Sequence, residues 1–289
     1  MLKIPIRVLQ AFPRSLPASF CRSCSSVTAG YTPGGENDPD AYRRAMSAKI
    51  DNLKKRLEDP TRFKNINDRD ESSIVPAAVT EAMVTGKYLS VYRGIDMLKG
   101  PEDMAILYQM LWNVKPRTVI ELGSFTGASA LWIADSLNGA NIECSVFSAD
   151  IDLSLLHSDI SSFKPPNLSF IEGDCNDIEN VFPSEFLKAQ PHPFVVIDDA
   201  HANFDKVMDY FHSHLIPGDY MICEDTCPNI LASALGSSED KELLGFEKLH
   251  SWKKFLNRHH DMYAVDSFYS DYFGYNASSN WNGYVRRMK

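Results

Sequence analysis

Two groups of acids close apolar runs in this chain. In VVIDDAHANFDK, residues 195–206, three apolar residues lead into Asp198 and Asp199, and His201 follows the first of them by three positions. In DYMICED, residues 219–225, Glu224 and Asp225 close a second run. Should the two run ends lie side by side, four carboxylates converge, and such a group repels itself unless a cation offsets it or some members stay protonated. Oxygen donors with room for water suit a hard divalent ion such as Mg²⁺. His201, with an ordinary pKa of about 6.5, is a usable base near neutral pH. Beside a metal that acidifies a bound hydroxyl, it could take that proton while the oxygen attacks an electrophile. The plain alternatives are loop polarity with Asp199 capping the next helix, and a packing role for His201. A two-histidine iron site would need His192 or His250, and neither ends a run. His212 and His214 are expected on the surface of the following helix, without a role.

Such a cluster needs elements to deliver it. From Arg117 onward, β-branched runs at 118–123, 144–150, 168–174, 194–200 and 219–225 alternate with helical segments. That alternation builds a parallel sheet covered on both faces, with ligands beyond the carboxyl ends of its strands. The first run ends in ELGSFTGASA, residues 121–130. There Glu121, Gly123 and Gly127 give the spacing E-x-G-x-x-x-G, and Ser124, Thr126 and Ser129 offer hydroxyls at a helix start. Glycines there let the backbone turn sharply and approach a ligand, but they are not the closely set glycines of a pyrophosphate site. Asp150 ends the second run, where it can accept from ribose hydroxyls, and Asp174 ends the third, where it can face an adenine amine. A glycine loop followed by two acids on successive strand ends fits S-adenosylmethionine, and in this the chain resembles the class I methyltransferases.

Residues 36–60 carry Ala, Met, Ile and Leu at helical spacing and close at Pro60, which predicts an amphipathic helix. Residues 74–112 continue helically around the loop KYLSVYRGIDMLKGPED. The organisation expected is therefore a leader at 1–35, a helical cap at 36–112 and a ligand-binding domain at 113–289. Residues 228–250 would insert a lid after the fifth strand. DMYAVDSF and WNGYVRRM, joined by the turn-rich YNASSN, predict an antiparallel hairpin at the edge of the sheet. The fold expected is α/β and Rossmann-like: a mostly parallel seven-stranded sheet with that hairpin and the N-terminal cap. An acceptor pocket would come from residues 60–100 and 228–255, with Tyr92, Phe204, Trp252 and Tyr275 as candidate lining.

Composition narrows the classes. The 289 residues are 44% hydrophobic and 23% charged, ordinary for a globular chain. A formal charge of −9 with no basic run argues against nucleic acid as a partner. No stretch of eighteen apolar residues occurs, so no membrane span is expected. The six cysteines do not read as a disulfide framework, and Cys21 and Cys24 form a CxxC without the second pair a zinc site needs. Lys3, Arg7, Arg14 and Arg22 precede the first acid, Glu36, in a Ser-rich leader. That pattern predicts mitochondrial import, with a plastid or a cytoplasmic tail as alternatives.

Four stretches together resemble one family: YRGIDMLKGPEDM before the glycine strand, IDDAH, ICEDT, and the tail FGYNASSNWNGYVRR. These are similar to the cephalosporin hydroxylase and rhamnosyl O-methyltransferase group over about residues 87–289. The resemblance implies an S-adenosylmethionine- and Mg²⁺-dependent O-methyltransferase acting on a sugar-like or natural-product hydroxyl, in a chain that self-associates. Carried over by position, it places the metal on Asp198, Glu224 and Asp225 and the base at His201. Asp199 stands where a small polar residue is common, so either acid of the pair could hold the ion. The three-residue offset to His201 favours Asp198. The historical family name keeps a metal-dependent hydroxylase as the alternative, and a non-catalytic nucleoside-ligand binder is a third.

Overall fold

The structure is a computed structural model that describes residues 39–200, 202–227 and 246–289. It divides into two units, Met1–Lys55 and Arg56–Lys289. Helix α1 (Pro39–Glu58) carries the amphipathic stripe expected of it, and Tyr42, Met46, Ile50 and Leu53 on that stripe are exposed. Residues 56–112 fall in the same unit as the sheet.

This second unit opens with a short strand β1 (Phe63–Lys64) and helix α2 (Ala77–Lys87), which begins directly after Pro76. Inside the expected loop lies a small hairpin, β2 (Val91–Tyr92) and β3 (Ile95–Asp96). Arg93 and Gly94, both at positive φ, make its two-residue turn. Helix α3 (Pro101–Val114) has proline in its first turn, where the missing N–H costs nothing, and stops at Lys115 in the left-handed region.

Strands β4 (Thr118–Leu122), β5 (Ser145–Asp150), β6 (Leu168–Glu172), β7 (Phe194–Asp198) and β8 (Tyr220–Cys223) run parallel. Strands β9 (Tyr263–Asp266) and β10 (Tyr284–Arg287) complete the sheet in the order β1-β9-β10-β8-β7-β4-β5-β6. Helices α4 (Ala128–Gly139), α5 (Phe204–His212) and α6 (Phe246–Arg258) follow β4, β7 and the stretch after β8. β4 and β7 are buried at every residue, which is why their sequences are dominated by apolar residues, with Glu121 a buried exception in β4. Alternate residues feed two cores: Val196 packs in a cluster with Phe204, Trp252 and Phe255, and Val195 and Ile197 pack in another with Leu107 and Leu131. Each such buried aliphatic side chain contributes roughly 1.5–3 kcal/mol, enough in sum to hold strand ends that carry several charges.

The C-terminal pair is antiparallel, with Val285 opposite Val265, but it is not the free edge. β10 also pairs with β8, β1 covers β9, and the connection contains a short helix, Ser267–Ser270. Seven strands become eight because Phe63–Lys64 adds a two-residue ladder, too short to show a strand period in sequence. Chain order reverses between β4 and β7, so their carboxyl ends open the crevice where open α/β sheets take ligands.

Candidate active site

The turn after β4 is dictated by backbone geometry. Gly123 has φ +96, and a Cβ there would lie 2.9 Å from the carbonyl oxygen of Asp199 at the end of β7. Gly127, at φ +82, caps α4, and a Cβ there would lie 2.8 Å from Leu156. Both positions therefore require glycine. The other loop residues turn inward. Glu121 is fully buried and accepts from Ser129 Oγ at 2.5 Å and Ser148 Oγ at 2.6 Å, while Ser148 shares a 2.7 Å bond with Ser124 Oγ. Burial pushes the Glu121 carboxyl up, against the Lys99 ammonium and the two hydroxyls. Glu121, Ser124 and Ser129 thus brace the loop from below instead of offering their oxygens to a ligand.

Asp150 and Asp174 do reach the crevice. Asp150 Oδ2 accepts the Phe125 N–H at 2.8 Å, which ties the glycine loop to the end of β5. Asp174 accepts the Asn176 N–H at 2.8 Å. With Gly123, Phe125, Ile151 and Asn176 they line a cleft of 460 Å³ that continues to Asp199, Asp225 and Lys87.

The four acids at the ends of β7 and β8 separate into different environments. Asp198 shares the strand face of Val196, so its side chain enters the core on the side of α6. There Lys248 Nζ lies 2.9 Å from Asp198 Oδ1 and donates to the Asp198 carbonyl at 2.7 Å. Asp198 is 2% exposed and does not line the cleft, whereas Asp199, with a side chain 31% exposed, does. The metal candidate of this pair is therefore Asp199, not Asp198, because strand alternation turns the first acid inward.

Buried lysines neutralise the cluster. Lys99 donates to Glu224 and, at 3.3 Å, to Asp199 Oδ2; Lys87 donates to Asp225 Oδ1 at 3.0 Å. Burial opposes the Asp199 anion, but Lys99, Lys248 and Lys87 outweigh it and hold the carboxyl below its ordinary range. Burial pushes Glu224 up, and the Asp199 and Asp225 anions add to this against Lys99. Among the described residues no three such ligands form a ready ion cage. The donor set nonetheless fits a hard divalent ion in its chemistry: Asp199, Glu224 and Asp225 are oxygen donors that directly follow the ends of the adjacent parallel strands β7 and β8. Lys99, donating to both Asp199 and Glu224, already offsets part of their mutual repulsion.

Several expectations meet other surroundings. His201 lies outside the described residues, as do residues 228–245 of the expected lid, the leader, Cys21 and Cys24. His192 stands just before β7, at the opposite end from the acids, stacked on Phe194 and 2.8 Å from Asp219 Oδ2, so it cannot complete an iron site with them. His212 is not a free surface group: its ring stacks on His259 with centroids 4.1 Å apart. Tyr92 bonds Asp135, Phe204 packs on Trp252 in the core, and Tyr275 carries the Arg69 guanidinium, so none of these aromatics lines the cleft. Tyr88 and Phe125 line it instead. Sequence reasoning missed Lys87, Lys99 and Lys248. The signal available was charge balance: four gathered acids call for counter-ions, and the stretch YLSVYRGIDML is flanked by two isolated lysines, Lys87 and Lys99.

Comparisons with known proteins bear on this geometry. The family model described as Rhamnosyl O-methyltransferase/CmcI matches residues 86–288. A rhamnosyl O-methyltransferase of Mycobacterium leprae (strain TN) is 27% identical over 149 residues, 47% of this chain; the match spans 60% of that relative, less than two thirds of its length. Two solved structures are similar in fold and sequence. The CmcI-N160 apo structure is 33% identical with a TM-score of 0.55 over 70% of this chain and 77% of its own. The CmcI-D160 structure with Mg and SAM is 32% identical with a TM-score of 0.56 over 70% and 78%.

Proposed function

The chain belongs to the rhamnosyl O-methyltransferase/CmcI family, and from that membership we propose that it transfers the methyl group of S-adenosylmethionine to a hydroxyl of a small-molecule acceptor. One observation carries the reading: a single cleft joins the Gly123 turn, Asp150 and Asp174 to the acids Asp199 and Asp225. The similar CmcI-D160 structure, described with Mg and SAM, supports both cofactors.

In this reading each strand end has one task. The Gly123 turn admits the methionine part, since no side chain stands between its backbone and the ligand. Asp150, fixed by the Phe125 N–H, accepts from the ribose hydroxyls, and Asp174 faces the adenine amine. Asp199, Glu224 and Asp225 would hold the divalent ion. When bound, the donor supplies an electrophilic methyl and the ion supplies Lewis acidity that eases loss of the acceptor's proton. His201, three residues beyond Asp198, takes that proton. The acceptor oxygen then bonds to the methyl carbon as the carbon–sulfur bond breaks and its electron pair stays on sulfur, leaving S-adenosylhomocysteine. Lys87 and Tyr88 wall the acceptor side. We also propose self-association and, from the acid-free leader, mitochondrial import. A fluorescent fusion of the full chain that stays outside mitochondria would remove the latter.

Incubation with methyl-labelled donor and pooled hydroxyl compounds, sugars and phenols among them, tests the activity. Label is expected in an ether-linked product that depends on added Mg²⁺. Label only in protein, or none in any acceptor fraction, contradicts it.

A further inference from the structure

The tail FGYNASSNWNGYVRR contributes nothing to the cleft lining. It lies instead behind the end of β8 and bonds it almost residue by residue. The Cys223 N–H donates to the Gly283 carbonyl at 2.9 Å, the Thr226 hydroxyl to the Trp281 carbonyl at 2.8 Å, and the Cys227 N–H to the Ser279 carbonyl at 3.1 Å. Gly283 is needed for this approach, because a Cβ there would collide with the Cys223 carbonyl.

In the middle of that seam Asp225 adopts φ +57, a left-handed conformation costly for a residue with a side chain. A partly buried N–H turned out of its ladder still needs a partner. Asn280, 3% exposed, supplies it: its Oδ1 accepts the Asp225 N–H at 2.9 Å. The other end of the same amide donates to Asp103 Oδ1 at 3.3 Å and Tyr284 OH at 3.4 Å, which fixes its orientation. Asp103 comes from the GPEDM stretch, so three separate sequence signals meet at one carboxamide.

We propose that Asn280 is a positioning residue for Asp225: it holds the left-handed turn that brings the Asp225 carboxylate to the cleft while Glu224 stays buried beneath, and Asp103 in turn orients Asn280. This rests on Asp225 as an ion donor in the reading above. The positioning also explains why a tail far from the ligand in sequence and outside the cleft carries so many small and amide residues.

Calorimetry of the full chain with Mg²⁺, and separately with S-adenosylhomocysteine, tests this on the parent and three variants. Asn280→Ala is expected to weaken Mg²⁺ binding about tenfold, the order of one released backbone strain, with S-adenosylhomocysteine affinity unchanged. Thr226→Val removes another bond of the same seam and is expected to lower the melting temperature without moving either affinity. The double exchange Asp103→Asn with Asn280→Asp keeps charge, atoms and the bond to the Asp225 N–H; it is expected to restore Mg²⁺ binding and serves where Asn280→Ala fails to fold. Equal Mg²⁺ binding by Asn280→Ala and the parent, an equal loss in Thr226→Val, or no recovery in the exchange overturns the proposal. A parent that takes no Mg²⁺ overturns the metal reading of Asp225 and this inference with it, and that titration tells the two failures apart.

Discussion

Lys248 Nζ stands 2.9 Å from Asp198 Oδ1, and both groups are buried. The first acid of IDDAH is thus committed to a core ion pair, and its neighbour is left to the ligand. Removing one member of such a pair strands a buried charge, a loss of about 3–5 kcal/mol. Asp198→Asn is therefore expected to lower unfolding free energy by that order in urea titrations. Asp199→Asn is expected to cost less than this, because Glu224 still pairs Lys99, and to lose most Mg²⁺ affinity. The reverse pattern would return the ion to Asp198.

Gly123 cannot carry a side chain without moving the end of β7. Its φ of +96 and the 2.9 Å approach to the Asp199 carbonyl act together, so Gly123→Ala is expected to cost at least about 1 kcal/mol of stability. Because the displaced group is the backbone of Asp199, donor binding and ion binding should weaken together. Unchanged affinities by calorimetry would show that the loop relaxes elsewhere.

Donor binding and turnover separate at His201. With His201→Ala, S-adenosylhomocysteine affinity is expected to match the parent, while kcat falls about 10²–10⁴-fold, the usual contribution of a general base. Full activity in that variant, measured by labelled methyl transfer, removes His201 from the mechanism.

Stability should fall in mild acid through the stacked pair His212 and His259. Burial, the neighbouring His259 and the Arg287 cation push His212 down to about 4 from its ordinary 6.5. The folded chain therefore binds this proton less readily than the unfolded chain. The associated stability is fully present above about pH 6.5 and is lost as pH falls toward 4. Replacing His212 with Asn is expected to flatten melting temperature against pH across that window, and an unchanged slope would contradict it.

Three of the parallel strands were legible because they are buried at every residue: TVIEL, FVVID and YMIC read as strands without help from tertiary context. Gly123, Asp150 and Asp174 were legible because strand ends in this architecture define the crevice. Which of Asp198 and Asp199 faces the cleft was not, because both faces of β7 are buried and its run shows no apolar–polar alternation to tell them apart. Lys87 and Lys99 escaped because they come from outside the alternating pattern and meet the acids only through packing, 138 and 125 residues away in sequence for the Asp225 and Glu224 contacts. Asn280 escaped likewise: its role lies in a backbone angle at Asp225 that no residue type announces.

Whether the cleft between Gly123 and Asp225 binds a methyl donor is decided by calorimetry of the full chain with S-adenosylhomocysteine, with and without Mg²⁺. One site per chain is expected in either condition, weakened in Asp150→Ala. No heat of binding at millimolar ligand, or binding indifferent to Asp150→Ala, would contradict it.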